Sequence, residues 1–229
     1  MFGAFAVCLV VTPQCRAQAL VVGAKGGAQV TGTFTGASAP FPILDVTETP
    51  TYSSTAQHGT LGLAVDFAVS RNYRIEVDCL TRQFTYNSAW LSGLPTFPWT
   101  ASSSANGTSV DIPILVKRRL GGRRAAPYLG IGGSIRRYTS LLQTVRDLPP
   151  GETGISFWTR EPRELKRRTA GGVVLAAGLQ KDVKRVRLST EFRYTRWVAK
   201  TFRDSRGSAF GSRQNQLEVL FGIGLIALE

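Results

Sequence analysis

A single histidine, His58, stands in the 229 residues, and cysteine occurs only as Cys8, Cys15 and Cys79. So sparse a set excludes a metal centre built from clustered imidazoles and thiolates. It leaves histidine-dependent acid–base or nucleophilic chemistry with His58 as its sole candidate. Long apolar runs are missing too. The longest, residues 219–228, is about half of the ~18–20 residues a spanning helix needs, and Gly222 and Gly224 interrupt it. Nor is there a polar tract that reads as disorder, with 43% of the residues hydrophobic. Acidic residues are scarce, 15 against 28 Lys and Arg, for a formal net charge of +13. Such a balance suits nucleic acid or a phosphate-rich membrane surface, and the placement of the charges decides between them.

Residues 1–19 read as a secretory signal. An apolar run over residues 2–11 is followed by Ala17-Gln18-Ala19, a small-x-small cleavage site, although no Lys or Arg precedes the run. Gln14 ahead of Cys15 is not the small-residue context of a lipoprotein attachment site. Cleavage after Ala19 removes Cys8 and Cys15, leaves Cys79 alone, and excludes a disulfide within one chain. The remaining residues, 20–229, form one expected domain.

What that domain has in abundance is period two. Val186, Leu188, Thr190, Phe192 and Tyr194 alternate with Arg187, Ser189, Glu191 and Arg193. The same alternation starts at Leu61, Tyr73, Val110, Leu129, Val173 and Leu217, and more weakly at Leu20. That makes eight strands with apolar residues on one face. Their connections alternate in length. Ser70-Arg71-Asn72, residues 118–124 and residues 181–184 are short, whereas residues 32–57, 86–106, 138–170 and 200–213 are long and rich in Ser, Thr, Pro and Gly. Short turns at one end and long loops at the other predict an all-β fold, an eight-stranded antiparallel up-and-down transmembrane barrel with both termini at the short-turn end.

Glycine decides which face looks outward. Gly23, Gly62, Gly130, Gly132, Gly178, Gly222 and Gly224 share the polar face with the charges, where a narrow barrel interior needs room for long side chains. The aliphatic face therefore meets lipid, and the opposite sense, a soluble lipocalin-like binder of the periplasm, is the less fitting alternative. Facing inward are then Lys25, Asp66, Arg74, Glu76, Asp78, Asp111, Lys117, Arg136, Arg187, Glu191, Arg193 and Glu218, six acids against six bases. Near-neutrality is what a poorly hydrated interior demands. These residues read either as a salt-bridged plug that holds the strands in register or as a gated ion path.

The excess positive charge consequently falls in the connections. Arg118, Arg119, Arg123 and Arg124 populate one short turn and Lys181, Lys184 and Arg185 another, while Arg146 and further cations lie in the third long loop. Nucleic-acid binding wants basic residues on one face with aromatics between them. Here they split between two rims roughly 25 Å apart, so nucleic acid is excluded as a partner. Anchoring beside lipid phosphates accounts for them, with Arg160, Arg163, Lys166, Arg167 and Arg168 as candidate contacts to lipopolysaccharide.

The pattern, together with Glu191-Phe192-Arg193-Tyr194-Thr195-Arg196-Trp197 in the seventh strand, resembles the small outer-membrane β-barrel family typified by the OmpA membrane domain and OmpX. The resemblance covers the whole domain after the signal. It implies a location in the bacterial outer membrane, insertion by the barrel assembly machinery, a structural or surface-interaction role, and no cofactor. Members usually close on an aromatic residue, whereas this chain ends Ala227-Leu228-Glu229. A lipid-A-modifying enzyme on this architecture is the alternative, and it would need His58 together with Ser53 or Ser54, loop residues with nothing to fix them, and an acid such as Asp66. The simpler reading makes His58 a solvated rim residue, Cys79 a lipid-facing thiol, and Tyr138 and Trp158 girdle or loop aromatics. The expectation is accordingly a non-catalytic protein without metal or cofactor sites.

Overall fold

A computed structural model describes residues 20–38, 41–43, 46–48, 51–54, 59–92, 99–121, 125–148, 155–203 and 210–227. The expected signal, His58, Arg123 and Arg124 lie outside the described residues. Eight long strands run β1 Leu20–Gln29, β2 Gly59–Ala68, β3 Tyr73–Ser92, β4 Trp99–Arg119, β5 Ala126–Leu148, β6 Thr169–Val183, β7 Val186–Trp197 and β8 Asn215–Ala227. Each pairs antiparallel with the next. β1 pairs with β2 on one side and with β8 on the other, from Leu20↔Ala227 to Gln29↔Glu218. The sheet is thus closed into an eight-stranded barrel without a free edge around its wall.

The period-two pattern sets the two faces. Leu61, Leu63, Ile131, Phe192, Phe221 and Leu225 are each about 60% exposed or more, although they belong to regular strands. Lys25, Glu76, Arg136, Arg193 and Glu218 on the alternate face are buried. A soluble protein rarely leaves a continuous apolar surface beyond a few hundred Å², and the inversion of core and surface is what a hydrocarbon solvent selects. Cys79 lies exposed on this outer face, in register with Leu63. Small residues make the narrow interior workable. A side chain at Gly130 would press on the stem of Lys117, and one at Gly132 would run into the Ile114 carbonyl of the neighbouring strand.

The barrel is taller at one end than the alternation suggests. Residues 86–106 and 138–148, expected as loops, largely continue β3, β4 and β5 as paired strands. Above the lipid a strand no longer needs an apolar outer face, so its Ser, Thr and Asn content imitates a loop. A bulge between Thr139 and Leu142, with Ser140 at φ 50°, switches the inward face of β5 from even positions through Tyr138 to odd ones from Gln143. Short strands extend this upper sheet: Thr51–Ser54 and Val46–Glu48 pair with β3, and Ser156–Arg160 pairs with β5. Ser53 and Ser54 therefore lie in a strand, contrary to the loop expected for them. At the other end Arg118, Arg119, Lys181 and Val183 belong to strands, and the β6–β7 turn narrows to Lys184-Arg185, with Lys184 at φ 54°. In the β2–β3 turn the Ser70 hydroxyl accepts hydrogen bonds from the Asn72 and Tyr73 amides.

Candidate functional site

The barrel interior is the built site of this molecule, and it is layered. Nearest the short turns, Arg74 Nε donates to both carboxylate oxygens of Asp66 at 2.7 and 2.8 Å. Arg187 reaches Asp66 at 3.1 Å and grips Asp182 with Nε and Nη2 at 2.6 and 2.9 Å. The neighbouring void, ≈ 30 Å³ beside Lys25, Asp66, Glu76 and Arg187, has space for about one water.

At mid-height Lys25 Nζ meets Glu76 at 2.5 Å and Asp78 at 3.1 Å. Lys117 Nζ lies 2.6 Å from both Glu76 and Glu191. The Tyr128 hydroxyl donates to Glu191 at 2.7 Å, with Lys117 over its ring at 4.4 Å. Arg193 crosses to Asp78 at 2.6 Å and returns to Glu191 at 2.5 Å. Neither Asp78 nor Glu191 retains more than 1% of its accessible surface, so every charge in this layer depends on its partners in place of water.

The third layer joins Arg136 to Asp111 through two bonds of 2.7 Å, with the guanidinium 4.2 Å from the Trp197 ring. Arg82 bridges Asp111, at 3.0 Å, and Glu218, and its Nε donates to Thr60. Sequence reasoning missed Arg82 because Leu80, buried and in the same phase, ends the run of inward charges; the even spacing from Arg74 is the signal that points to it. Asp182, assigned to a turn, likewise joins the network from the end of β6. With these two additions the three layers join seven cations to seven carboxylates, so the balance of the twelve expected residues is kept within them.

An aromatic cap closes the tall end. Phe34, Tyr52, Phe84, Tyr86, Tyr138, Phe202 and Phe210 form one buried cluster. Tyr52 stacks on Phe210 at 4.2 Å, and Phe202 meets Phe34 and Tyr138 edge-on at 5.1 Å. A two-residue pairing of Phe34–Thr35 with Gly211–Ser212 ties the first and last long connections together inside the mouth. Tyr138 is therefore a core residue here and not a girdle or loop aromatic. The Tyr86 hydroxyl donates to Glu164 at 3.0 Å, and burial with that carboxylate beside it raises the phenol above its ordinary value. Trp158, by contrast, is exposed.

The five cations of the third connection are not gathered into one pocket. Arg160 is half-buried and donates to Gln143 at 3.1 Å. Arg168 pairs with Glu161 at 2.9 Å at the surface. The Lys166 and Arg167 amides both donate to the Thr201 carbonyl, which sets these two beside the fourth connection, while Arg163 is exposed.

No protein-family model matches the chain, and no curated protein matches it. Solved structures do. The outer membrane protein OprG from Pseudomonas aeruginosa aligns over 92% of this chain and 96% of its own, at 11% identity and a TM-score of 0.55. Neisserial surface protein A aligns over 90% of this chain and 96% of its own, at 14% identity and a TM-score of 0.40. The N-terminal β-barrel domain of OprF from Pseudomonas aeruginosa covers 93% of this chain and 100% of its own, at 9% identity and a TM-score of 0.36. The fold shared with OprG is that of a small outer-membrane β-barrel.

Proposed function

We propose that this protein resides in the bacterial outer membrane as a non-catalytic barrel with a sealed interior, whose work is done by the sheet and connections that rise above the lipid. The observation that carries the reading is the stacking of three ion-paired layers beneath an aromatic cap. An eight-stranded barrel is only wide enough for its side chains to fill, and here those side chains hold one another in place. The lipid-facing belt supports residence in a membrane, and the barrel fold supports the outer one. Outer-membrane lipid is then the surrounding partner. The exposed Arg163, Lys166 and Arg167, with Arg168 and Arg160 beside them, suit contacts to lipopolysaccharide phosphates.

Single-channel recording in a planar bilayer tests the sealed interior. The purified, refolded protein is expected to give no conductance, or at most brief flickers. A steady open state of large conductance would mean a water-filled lumen and would sink the proposal. Fractionation, together with a mobility shift on boiling, tests the location, since a folded barrel survives detergent at room temperature and unfolds on heating.

A further inference from the structure

Above the lipid belt the outer wall becomes polar in an ordered way. The boundary falls where Thr81, Val110 and Arg137 stand in register on β3, β4 and β5. Beyond it, residues directly opposite one another across the sheet share a face, so the pairings define rows. Ser53, Asn87, Ser104 and Thr144 form one row across four strands. The row above it carries Ser102, Arg146 and Phe157 side by side. Ser53, Asn87, Ser104 and Thr144 of the first row and Ser102 and Arg146 of the second line an open trough of ≈ 550 Å³, within the range of ligand-binding clefts, and Phe157 stands outside it as the neighbour of Arg146. No carboxylate stands in either row. Phe157, at 66% exposed, lays an uncovered ring beside the exposed Arg146.

Chemistry and position point to one occupant. Hydroxyl and amide side chains both donate and accept, which matches the hydroxyls of a sugar. A guanidinium selects a phosphate oxygen pair, and an exposed ring offers a flat apolar face to the C–H side of a pyranose. From Thr81 to Asn87 the strand climbs about 20 Å at ~3.3 Å per residue, or about 14 Å of height at the ~45° tilt usual for membrane strands. The trough opens sideways and is continuous with the lipid-facing wall below, so its neighbour is the headgroup region of the surrounding leaflet.

We propose that this trough binds the phosphorylated oligosaccharide of lipopolysaccharide, with Arg146 on a phosphate, Asn87, Ser104 and Thr144 on sugar hydroxyls, and Phe157 under a sugar ring. The inference rests on the outer-membrane reading and adds to it a site on the barrel wall, separate from the cations of the third connection.

The test is isothermal titration of the folded barrel in detergent with deacylated, lipid-free lipopolysaccharide oligosaccharide. Folding of every variant is verified by the heat-dependent gel shift. Saturable binding is expected for the wild type, weakened tenfold or more by Arg146→Gln, by Phe157→Ala, or by enzymatic removal of the phosphates. Arg71→Gln, exposed in the β2–β3 turn at the opposite end of the barrel, should bind as the wild type does. Absence of saturable binding by the folded wild type, or unchanged binding by Arg146→Gln, would overturn the inference. Tighter binding of an unrelated sulfated glycan would overturn the choice of occupant, as would an extended peptide binding where the oligosaccharide does not. Membrane residence is read separately by fractionation, so a membrane-resident, folded protein that ignores the oligosaccharide defeats this inference alone.

Discussion

Arg136 on β5 and Asp111 on β4 face each other in register and join through two parallel hydrogen bonds, while the guanidinium rests on Trp197. Both residues are almost fully buried. Asp111→Ala leaves two arginines, Arg136 and Arg82, without a common carboxylate. Loss of about 3–5 kcal/mol is expected, measured as a lower urea midpoint for the barrel in lipid vesicles. Replacing Asp111 and Arg136 together by apolar residues of similar volume should recover part of that loss. Equal or greater destabilisation in the double variant would mean that the unpaired Arg136 is not what makes Asp111→Ala costly.

Glu191 gathers Lys117, Arg193 and Tyr128 around one carboxylate, whereas Glu161 holds Arg168 at the surface. Glu191→Ala is expected to lower the unfolding midpoint clearly, by several kcal/mol. Glu161→Ala should change it by about 1 kcal/mol or less. Comparable shifts in the two variants would count against a desolvated interior network.

Phe202 touches Phe34, Phe84, Tyr86 and Tyr138 in the cap and is fully buried. Phe202→Ala should cost about 3–5 kcal/mol and loosen the first and last connections. Limited proteolysis of the folded protein would reveal this as new cleavage near Phe34 or Phe210 with the strands intact. Unchanged stability and unchanged cleavage would show that the cap does not hold the mouth shut.

Cys79 is exposed on the outer wall beside Leu63. In a barrel expressed from Leu20 onward it is the sole thiol, so labelling reports on one position. It should resist a charged maleimide in the bilayer-embedded barrel and react after unfolding in urea. Rapid labelling of the embedded protein would place this part of β3 outside the hydrocarbon.

An epitope inserted in the connection between β5 and β6 should be labelled in intact cells, and one at Arg71-Asn72 only after permeabilisation. The reverse pattern would mean that the tall end of the barrel faces the periplasm.

Within the lipid, the fold could be read directly from the chain. Every strand there must be apolar outside and polar or small inside, so the phases of Leu61, Tyr73, Leu129, Val173 and Leu217 reappear unchanged in the barrel. The inward placement of Lys25, Asp111 and Glu218 followed from the same parity. Above the lipid that constraint lapses, and Asn87, Ser104 and Thr144 sit in strands with polar residues on their outer face. Parity also fails as a guide on β5, because the extra residue near Ser140 reverses it. The cap was harder still to see. Its rings come from residues as far apart as Phe34, Tyr138 and Phe210, and nothing in their local spacing announces that they meet.

Several interior ion pairs join strands that are not neighbours in the wall. Arg193 on β7 reaches Asp78 on β3, Lys117 on β4 reaches Glu191 on β7, Arg82 on β3 reaches Glu218 on β8, and Arg187 on β7 reaches Asp66 on β2. Backbone bonds between adjacent strands can form one hairpin at a time, but these four pairs require the whole cylinder. In an open, curling sheet the same side chains stay hydrated and mutually distant. Sealing β8 against β1 is therefore the event that neutralises the interior, which makes it cooperative and hard to reverse. A partly assembled sheet keeps a charged, water-loving concave face, and that face opposes entry into hydrocarbon before the ring is shut.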